Sequence, residues 1–192
     1  MKKSKPFENS SILVTGGNGA VGSHLVKKLL EQSAKVVVLD DFSQSSKKNL
    51  PSDKKLKIIK GNITNEKILK KTFSTKFDYV FHLAARFANE LSVKDPMEDL
   101  KVNTQGTLQV LLHSSKQNLK RFIYTSSSSL YGEQNANLFK ETLYPNPSTP
   151  YAASKLSAEH YCNAIGKLSG LTYSIVRLSN SYGPLDPPGK FR

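Results

Sequence analysis

Hydrophobic positions fall into short continuous runs that alternate with longer periodic stretches. Ile12-Leu13-Val14-Thr15 is an apolar run closed by Gly16-Gly17, which predicts a buried strand. Val21, Leu25, Val26, Leu29 and Leu30 then recur at helical spacing. A second strand is predicted over Lys35–Asp40, rich in valine, and a third over Lys57–Lys60. Glu66–Phe73 reads as a helix and Asp78–Leu83 as the fourth strand. A long helix is expected from Pro96 to about Lys116. Arg121–Thr125 is the fifth strand, Tyr151–Leu168 a helix stopped by Gly170, and Thr172–Leu178 the sixth strand. Apolar strands separated by helices imply an α/β fold, a Rossmann-type doubly wound parallel sheet with helices on both faces. No internal repeat is present, and Ser43–Asp53 and Gly132–Pro150 read as loops rich in Ser, Asn and Pro.

Composition narrows the class. The 192 residues are 38% apolar and 22% charged, which fits a globular chain with its own core and excludes wholesale disorder. Cys162 is the only cysteine, so neither an intrachain disulfide nor a CxxC zinc site is available, and His24, His82, His113 and His160 lack metal-ligand spacing. No metal is expected. Apolar runs are too short to span a membrane, and Ile12-Leu13-Val14 is too short for the core of a signal peptide, so the expected compartment is the cytoplasm. The net charge is +13, but only four of the 28 basic residues are arginine and the lysines are scattered. That reads as a solvated surface, with steering of an anionic small ligand as the alternative, rather than a nucleic-acid or membrane face.

Two constellations carry chemistry. Gly17-x-Gly19-x-x-Gly22 follows the first strand and opens a helix. Glycines there permit a tight turn, close approach of a pyrophosphate and close helix packing, and the helix N-terminus offers free N–H groups and a positive dipole end. Any tight turn collects glycines, but here the second strand ends in Asp40, 18 residues after Gly22. An acid at that place binds the ribose hydroxyls of a dinucleotide and repels a 2′-phosphate, favouring NAD over NADP, with Lys47 and Lys48 acting the other way. Tyr151-x-x-x-Lys155 places a phenol and an ammonium on one helix face. The ammonium favours the phenolate, so the tyrosine can serve as a general base. The Thr125-Ser126-Ser127-Ser128-Ser129 cluster falls at the carboxyl end of the fifth strand, on the ligand edge of such a sheet.

Six segments in order resemble the motifs of the extended short-chain dehydrogenase/reductases, in the NAD-dependent epimerase/dehydratase branch that acts on nucleotide sugars. They are Thr15–Gly22, His82-Leu83-Ala84-Ala85, Asn103, Thr125–Gly132, Tyr151-Ala152-Ala153-Ser154-Lys155 and Arg177–Pro184. The resemblance implies that Gly16, Gly19, Ala20, Val21 and Gly22 cradle the pyrophosphate, and that Asp40, Phe42 and Ser45 surround the adenosine ribose. Asn62-Ile63 stands where the family usually has Asp-Ile or Asp-Leu against adenine; the asparagine keeps a carbonyl acceptor for the adenine amine. Leu83, Ala84 and Ala85 are implied to line the cofactor's path and Asn103 to support the helix and the active-site lysine. Ser127, Tyr151 and Lys155 form the implied catalytic set, with Ser179 near the nicotinamide and both Ser127 and Asn180 on the sugar nucleotide.

The resemblance also implies a reaction. Family dehydratases and decarboxylases carry an Asp or Glu after the catalytic Thr or Ser; this chain has Ser128 and Ser129. A carboxylate is what protonation of a leaving hydroxyl needs, so 4-epimerisation through a transient 4-keto sugar is favoured. The alternatives are a dehydratase, decarboxylase or reductase of the same family, or a non-catalytic NAD-binding remnant. The family further implies a homodimer through the helices of Asn103 and Tyr151, with Leu108, Leu111, Leu112, Ala158 and Tyr161 as candidate contacts, and a nucleotide-diphosphate sugar as substrate. Residues 1–10 are expected to be a flexible tail and 11–183 the NAD-binding domain. Residues 184–192 would begin a truncated substrate-binding region, the substrate domain being largely absent. His82 and Cys162 read as core residues, and Arg86 as a structural residue or a phosphate ligand.

Overall fold

The computed structural model describes residues 5–44, 49–87, 89–134 and 138–185. The strands are β1 (Ser11–Thr15), β2 (Lys35–Asp40), β3 (Leu56–Lys60), β4 (Tyr79–His82), β5 (Arg121–Ser127) and β6 (Tyr173–Leu178). All pair in parallel, in the order β3-β2-β1-β4-β5-β6. This is the doubly wound Rossmann-type sheet expected from the pattern. The order reverses between β1 and β4, where a crevice opens beyond the carboxyl ends of the strands.

Helices cover both faces: α1 (Ala20–Glu31), α2 (Glu66–Thr72), α3 (Asn89–Lys94), α4 (Pro96–Asp99), α5 (Thr107–Ser115) and α6 (Pro150–Ser169). Alternation along the strands splits the core in two. Ile12, Val14, Val36 and Val38 pack on Val26 and Leu29 of α1. Leu13, Leu39, Val80, Phe122 and Tyr124 pack on Val110 and Leu111 of α5 and on Ala158 and Cys162 of α6. The long α6 starts cleanly because the Thr149 side chain accepts from the Ala152 N–H and Pro150 occupies the first turn; Gly170, at φ 74°, ends it.

Four departures from the sequence reading have physical causes. Residues 5–10 fall in the stretch expected as a tail, yet Phe7 packs on the sheet, its ring meeting those of Tyr79 and Phe81 edge-on at 5.1 and 6.0 Å. β3 is an edge strand with Ile58 exposed, and its lysines guard that edge. β5 runs two residues further than predicted, because Ser126 and Ser127 pair with Arg177 and Leu178 of β6. The helix expected over 96–116 is interrupted: Leu100–Gly106 is π-helical. At its end, the Thr107 hydroxyl bonds the Asn103 carbonyl four residues back, at 2.6 Å. Side chains that compete for the helical ladder produce such irregularities.

That hydroxyl belongs to a buried chain. It is committed as a donor to the Asn103 carbonyl, so toward His82 Nε2, 2.9 Å away, it accepts. His82 therefore carries its proton on Nε2, and its Nδ1 accepts from the Thr15 hydroxyl at 2.6 Å. Thr15 in turn accepts from the Ala84 N–H at 3.3 Å. Burial pushes the imidazole down to about 3, and the Lys155 charge adds to the effect.

From pH 6.5 down to about 3, the unfolded chain binds a proton at His82 that the folded chain excludes, so stability falls with pH across that window. Asp40 and Asp99, raised by burial, act in the opposite direction from pH 3.8 upward. Urea unfolding between pH 6 and 5 should therefore show a loss approaching ~1.4 kcal/mol per pH unit. His82→Gln should flatten that slope; an identical slope in the variant would refute the assignment.

Candidate active site

A cavity of about 800 Å³ lies along the carboxyl ends of the strands. At one end is the turn from β1 to α1. Gly16 takes φ 68°, and a Cβ there would fall 2.6 Å from the Ala84 nitrogen. A Cβ on Gly22 would collide with the Gly16 carbonyl oxygen. Only glycine lets α1 approach this closely and present its N-terminus to the cavity. Gly16, Gly19, Ala20, Val21 and Gly22 all line the wall, as do Leu83, Ala84 and Ala85 after β4.

Asp40 closes β2. Its Oδ2 accepts from the Asn18 N–H at 2.9 Å and its Oδ1 from the Phe42 N–H at 2.8 Å. Burial raises its carboxyl above the usual range, and the two N–H bonds oppose that. A carboxylate offers about four lone-pair positions, so each oxygen keeps one for a ribose hydroxyl. Phe42, expected beside the ribose, is not part of the cavity wall; its backbone N–H orients Asp40 instead. Ser45, Lys47 and Lys48 lie outside the described residues. Asp41, Ser43, Gln44 and Asn49 line this end without having been singled out from the sequence. Only their position, in and just before the polar loop after β2, hinted at it.

Asn62 and Ile63 line the cavity beyond the end of β3. The Asn62 carbonyl accepts from both the N–H and the hydroxyl of Thr64, each at 2.9 Å. Its amide donates to Asp41 Oδ2 at 2.8 Å. The acceptor expected to face a purine amine is thus already used inside the protein.

At the other end, Ser127 is the last residue of β5. Its Oγ accepts from the Ser129 N–H at 3.1 Å and the Ser129 hydroxyl at 2.9 Å, which leaves its own proton to give away. Tyr151 is 6% exposed and meets the Phe87 ring edge-on at 5.7 Å. Lys155, one turn along α6, donates to the Thr125 carbonyl at 2.5 Å and lies 4.6 Å from the centre of the Tyr124 ring. Burial pushes the ammonium down from 10.5 to about 8, while Cys162, Asp99 and Glu159 pull it back up. Burial also pushes the Cys162 thiol up to about 12, so it is an inert packed thiol. Ser179 and Asn180, after β6, complete the wall.

Two residues singled out from the sequence serve the wall in different ways: Arg86 is part of it, and Asn103 supports it from behind. Asn103 is buried outside the cavity. It brackets the Arg86 backbone, accepting from its N–H at 2.7 Å and donating to its carbonyl at 3.1 Å, and donates to Asp99 at 2.8 Å. The Arg86 guanidinium, weighed as a phosphate ligand, donates to the carbonyls of Leu91 and Asp95 and so caps α3. The sequence reading missed a clamp on β6. Arg177 grips Glu159 of α6 in a bidentate pair at 3.0 and 2.7 Å, and also donates to the Tyr131 hydroxyl at 2.7 Å and the Glu141 carbonyl at 3.1 Å. The signal was there: Arg177 lies in the strand before Ser179, and Glu159 sits one turn after Lys155.

Residues 12–192 match the NAD dependent epimerase/dehydratase family. The chain belongs to that family. It is 34% identical over 181 residues to a putative UDP-glucose 4-epimerase of Methanocaldococcus jannaschii, covering 93% of this chain and 59% of the relative. It is also 34% identical to a dTDP-D-glucose 4,6-dehydratase of Dictyostelium discoideum, covering 93% and 45%. Among solved structures, an epimerase of Methanothermobacter thermautotrophicus superposes with a TM-score of 0.93 at 38% identity, covering 98% of this chain and 56% of that one. A Thermus thermophilus UDP-glucose 4-epimerase, solved with NAD, gives 0.87 at 33%, covering 93% and 58%. The chain thus spans about half the length of these relatives, from 45% to 59%. The family is NAD-dependent, and the wall fits such a group. A Cβ on Gly19 would meet only the Gly16 carbonyl oxygen, at 3.4 Å, so the α1 entrance is open. Ser126 Oγ, buried in the wall, has no hydrogen-bond partner among the described residues.

The Arg177–Glu159 pair is 19% and 7% exposed, so removing one partner strands a charge. Arg177→Met should cost about 3 kcal/mol in chemical unfolding. The double variant with Glu159→Met should recover most of that; equal losses in single and double variants would count against a buried pair.

Proposed function

We propose that this protein interconverts nucleotide-diphosphate sugars by NAD-dependent epimerisation at C4. The observation that carries the reading is the composition of the wall beside Ser127. Where a dehydration would use a carboxylic acid, the chain has Ser128 and Ser129, and Ser129 spends both its donors on Ser127. Among the described residues, the cavity's carboxylates are Asp40 and Asp41 at the opposite end, and Glu98, which is paired with Lys101 at 3.1 Å. Dehydratases stand among the relatives, and a dehydratase is therefore the reading to test against.

In the proposed site, the α1 N-terminus with Gly16, Gly19, Ala20, Val21 and Gly22 holds the NAD pyrophosphate, and Asp40 binds the ribose hydroxyls and repels a 2′-phosphate. Leu83, Ala84 and Ala85 line the path toward Ser179. NAD bound there would supply a reversible hydride acceptor for C4 of the sugar. Tyr151 takes the proton of the C4 hydroxyl and later returns it. The Lys155 ammonium favours the phenolate, and its carbonyl bond to Thr125 keeps it at the cavity wall. Ser127, with its acceptor capacity filled, donates to the C4 oxygen and holds it for transfer. Asn180 is placed for the sugar-nucleotide phosphates.

The same reading makes the protein a homodimer through α5 and α6. Leu112 and Tyr161 are exposed and suit that contact; Leu111 and Ala158 are buried in the core and do not. No described helix is long and apolar enough to cross a membrane.

Tyr151→Phe should abolish interconversion of UDP-glucose and UDP-galactose, and of their N-acetylated forms, while leaving NAD binding nearly intact. Lys155→Ala should damage both, and Ser127→Ala should slow turnover by about 10²-fold. Near-normal rates in Tyr151→Phe would sink the mechanism, and release of a 4-keto-6-deoxy sugar would identify a dehydratase. Light scattering at micromolar concentration should return a dimer mass; a monomer would remove the proposed interface.

A further inference from the structure

The proposed transfer needs two hydroxyls at a set separation: that of Ser127, which holds the C4 oxygen, and that of Tyr151, which takes its proton. Ser127 ends β5 and Tyr151 lies in the first turn of α6, at opposite ends of a long connection. Such a connection does not by itself fix the distance between its ends; cross-links must do so.

Ser127 caps a single 3₁₀ turn, Ser128–Tyr131, which the Gly132 N–H closes on the Ser129 carbonyl at 3.1 Å. One such turn has too few bonds of its own to hold a direction, so its direction follows from what holds its far end. That end is Tyr131. Its buried ring packs on Phe139 at 5.1 Å, and its hydroxyl accepts from Arg177 Nη1 at 2.7 Å. The Arg177 backbone pairs with Ser126, the residue before Ser127. Its Nε and Nη2 grip Glu159, two turns along α6 from Tyr151. Nη1 also donates to the Glu141 carbonyl, in the connection itself. The guanidinium is planar and its N–H directions are fixed, so Glu159 on one edge and Tyr131 on another stand in one set relation. A lysine ammonium, with one nitrogen, could not hold both.

We propose that Arg177 is a positioning residue for the C4 transfer: by joining Tyr131 to Glu159 it sets the separation of the Ser127 and Tyr151 hydroxyls. The inference rests on the roles proposed above for those two residues. It divides the work of Arg177 in two. The pair with Glu159 neutralises a buried charge and so serves stability. The bond to Tyr131 carries no charge pair and serves position.

Two variants separate these parts. Tyr131→Phe removes the hydroxyl that Arg177 holds and keeps the pair with Glu159. Arg177→Met with Glu159→Met removes both links without stranding a charge. In each, amide relaxation by NMR on the ligand-free protein should move the Ser129 and Gly132 N–H groups from rigid order parameters of about 0.85 toward the mobile range below about 0.6. The amides of Leu13 and Val14 in β1 should stay rigid. A link that serves stability alone would shift the unfolding midpoint and leave the native order at Ser129 unchanged. Turnover is the second readout: kcat for C4 epimerisation should fall about tenfold or more in both variants, while NAD affinity by calorimetry changes less than about twofold. Rigid Ser129 and Gly132 amides in either variant overturn the inference and leave the proposed function standing. Mobile amides with unchanged kcat overturn it too, since position would then not govern the transfer. If the unmutated protein acts on no nucleotide sugar, the proposed function falls and this inference with it.

Discussion

A neutral imidazole buried between two threonine hydroxyls holds the ligand edge of this sheet together. Thr15 ends β1, His82 ends β4 and Thr107 opens α5, so the chain Ala84–Thr15–His82–Thr107–Asn103 links two strand ends to a helix on one face. Each member has only one way to satisfy its neighbours. A carbonyl at one end and an N–H at the other fix the direction of every proton between them. A one-residue slip of β4 against β1 would replace the ring with an apolar side chain and strand two hydroxyls in the core. The same chain places Asn103, which in turn brackets the Arg86 backbone just past Ala84 and Ala85. The π-helical segment behind that wall and the hydroxyl inserted into its ladder belong to one arrangement.

The two ends of the cavity are held by different physics. The α1 end is shaped by missing atoms, where glycines let a helix, a turn and a strand end meet at backbone distance. The Tyr151 end is shaped by charge in a dry place. Moving the lysine from 10.5 to about 8 corresponds to about 3 kcal/mol of cost to keeping it charged at neutral pH. That shift is what remains after Asp99 and Glu159 have countered part of the burial, and Glu159 is itself paired with Arg177. Helix α6 thus carries Tyr151, Lys155 and Glu159 at successive turns, and β6 supplies the counter-charge. The sheet edge and the proposed base are coupled through one run of i, i+4 neighbours.

Much of this was legible in the chain. β1 and β2 are buried on both faces, so a continuous apolar run identifies them without ambiguity. The glycine spacing, Asp40, the serine run and Tyr151-x-x-x-Lys155 sit at strand ends or helix starts, where local sequence decides geometry. What escaped reading depends on tertiary partners. The two added residues of β5 exist only because β6 lies beside them. The short α3 is capped by an arginine guanidinium from outside its own sequence. The family resemblance implies a ribose contact for Phe42, and its backbone N–H acts on the site through Asp40, which spacing in the chain does not show. Asn62 shows the limit most clearly. Its carbonyl is taken by Thr64 and its amide donates to Asp41, and spacing in the chain does not encode either partner.

The division between epimerase and dehydratase turns on similarly local chemistry. Both reactions need a base that takes the C4 proton and a reversible hydride acceptor, and the same sheet, α1 turn and Tyr151–Lys155 pair suit either. They part at the next step. Loss of water needs a group able to give a proton to a departing hydroxide, and a serine hydroxyl is far too weak an acid near neutral pH. Ser129 is further removed from that role because its hydroxyl is already bonded to Ser127. An ionised carboxylate at the same place could not donate that bond and would return to Ser127 an open lone pair. On the proposed reading the two serines work in two directions at once: they leave this part of the site without a carboxyl proton donor, and Ser129 fills the acceptor positions of Ser127.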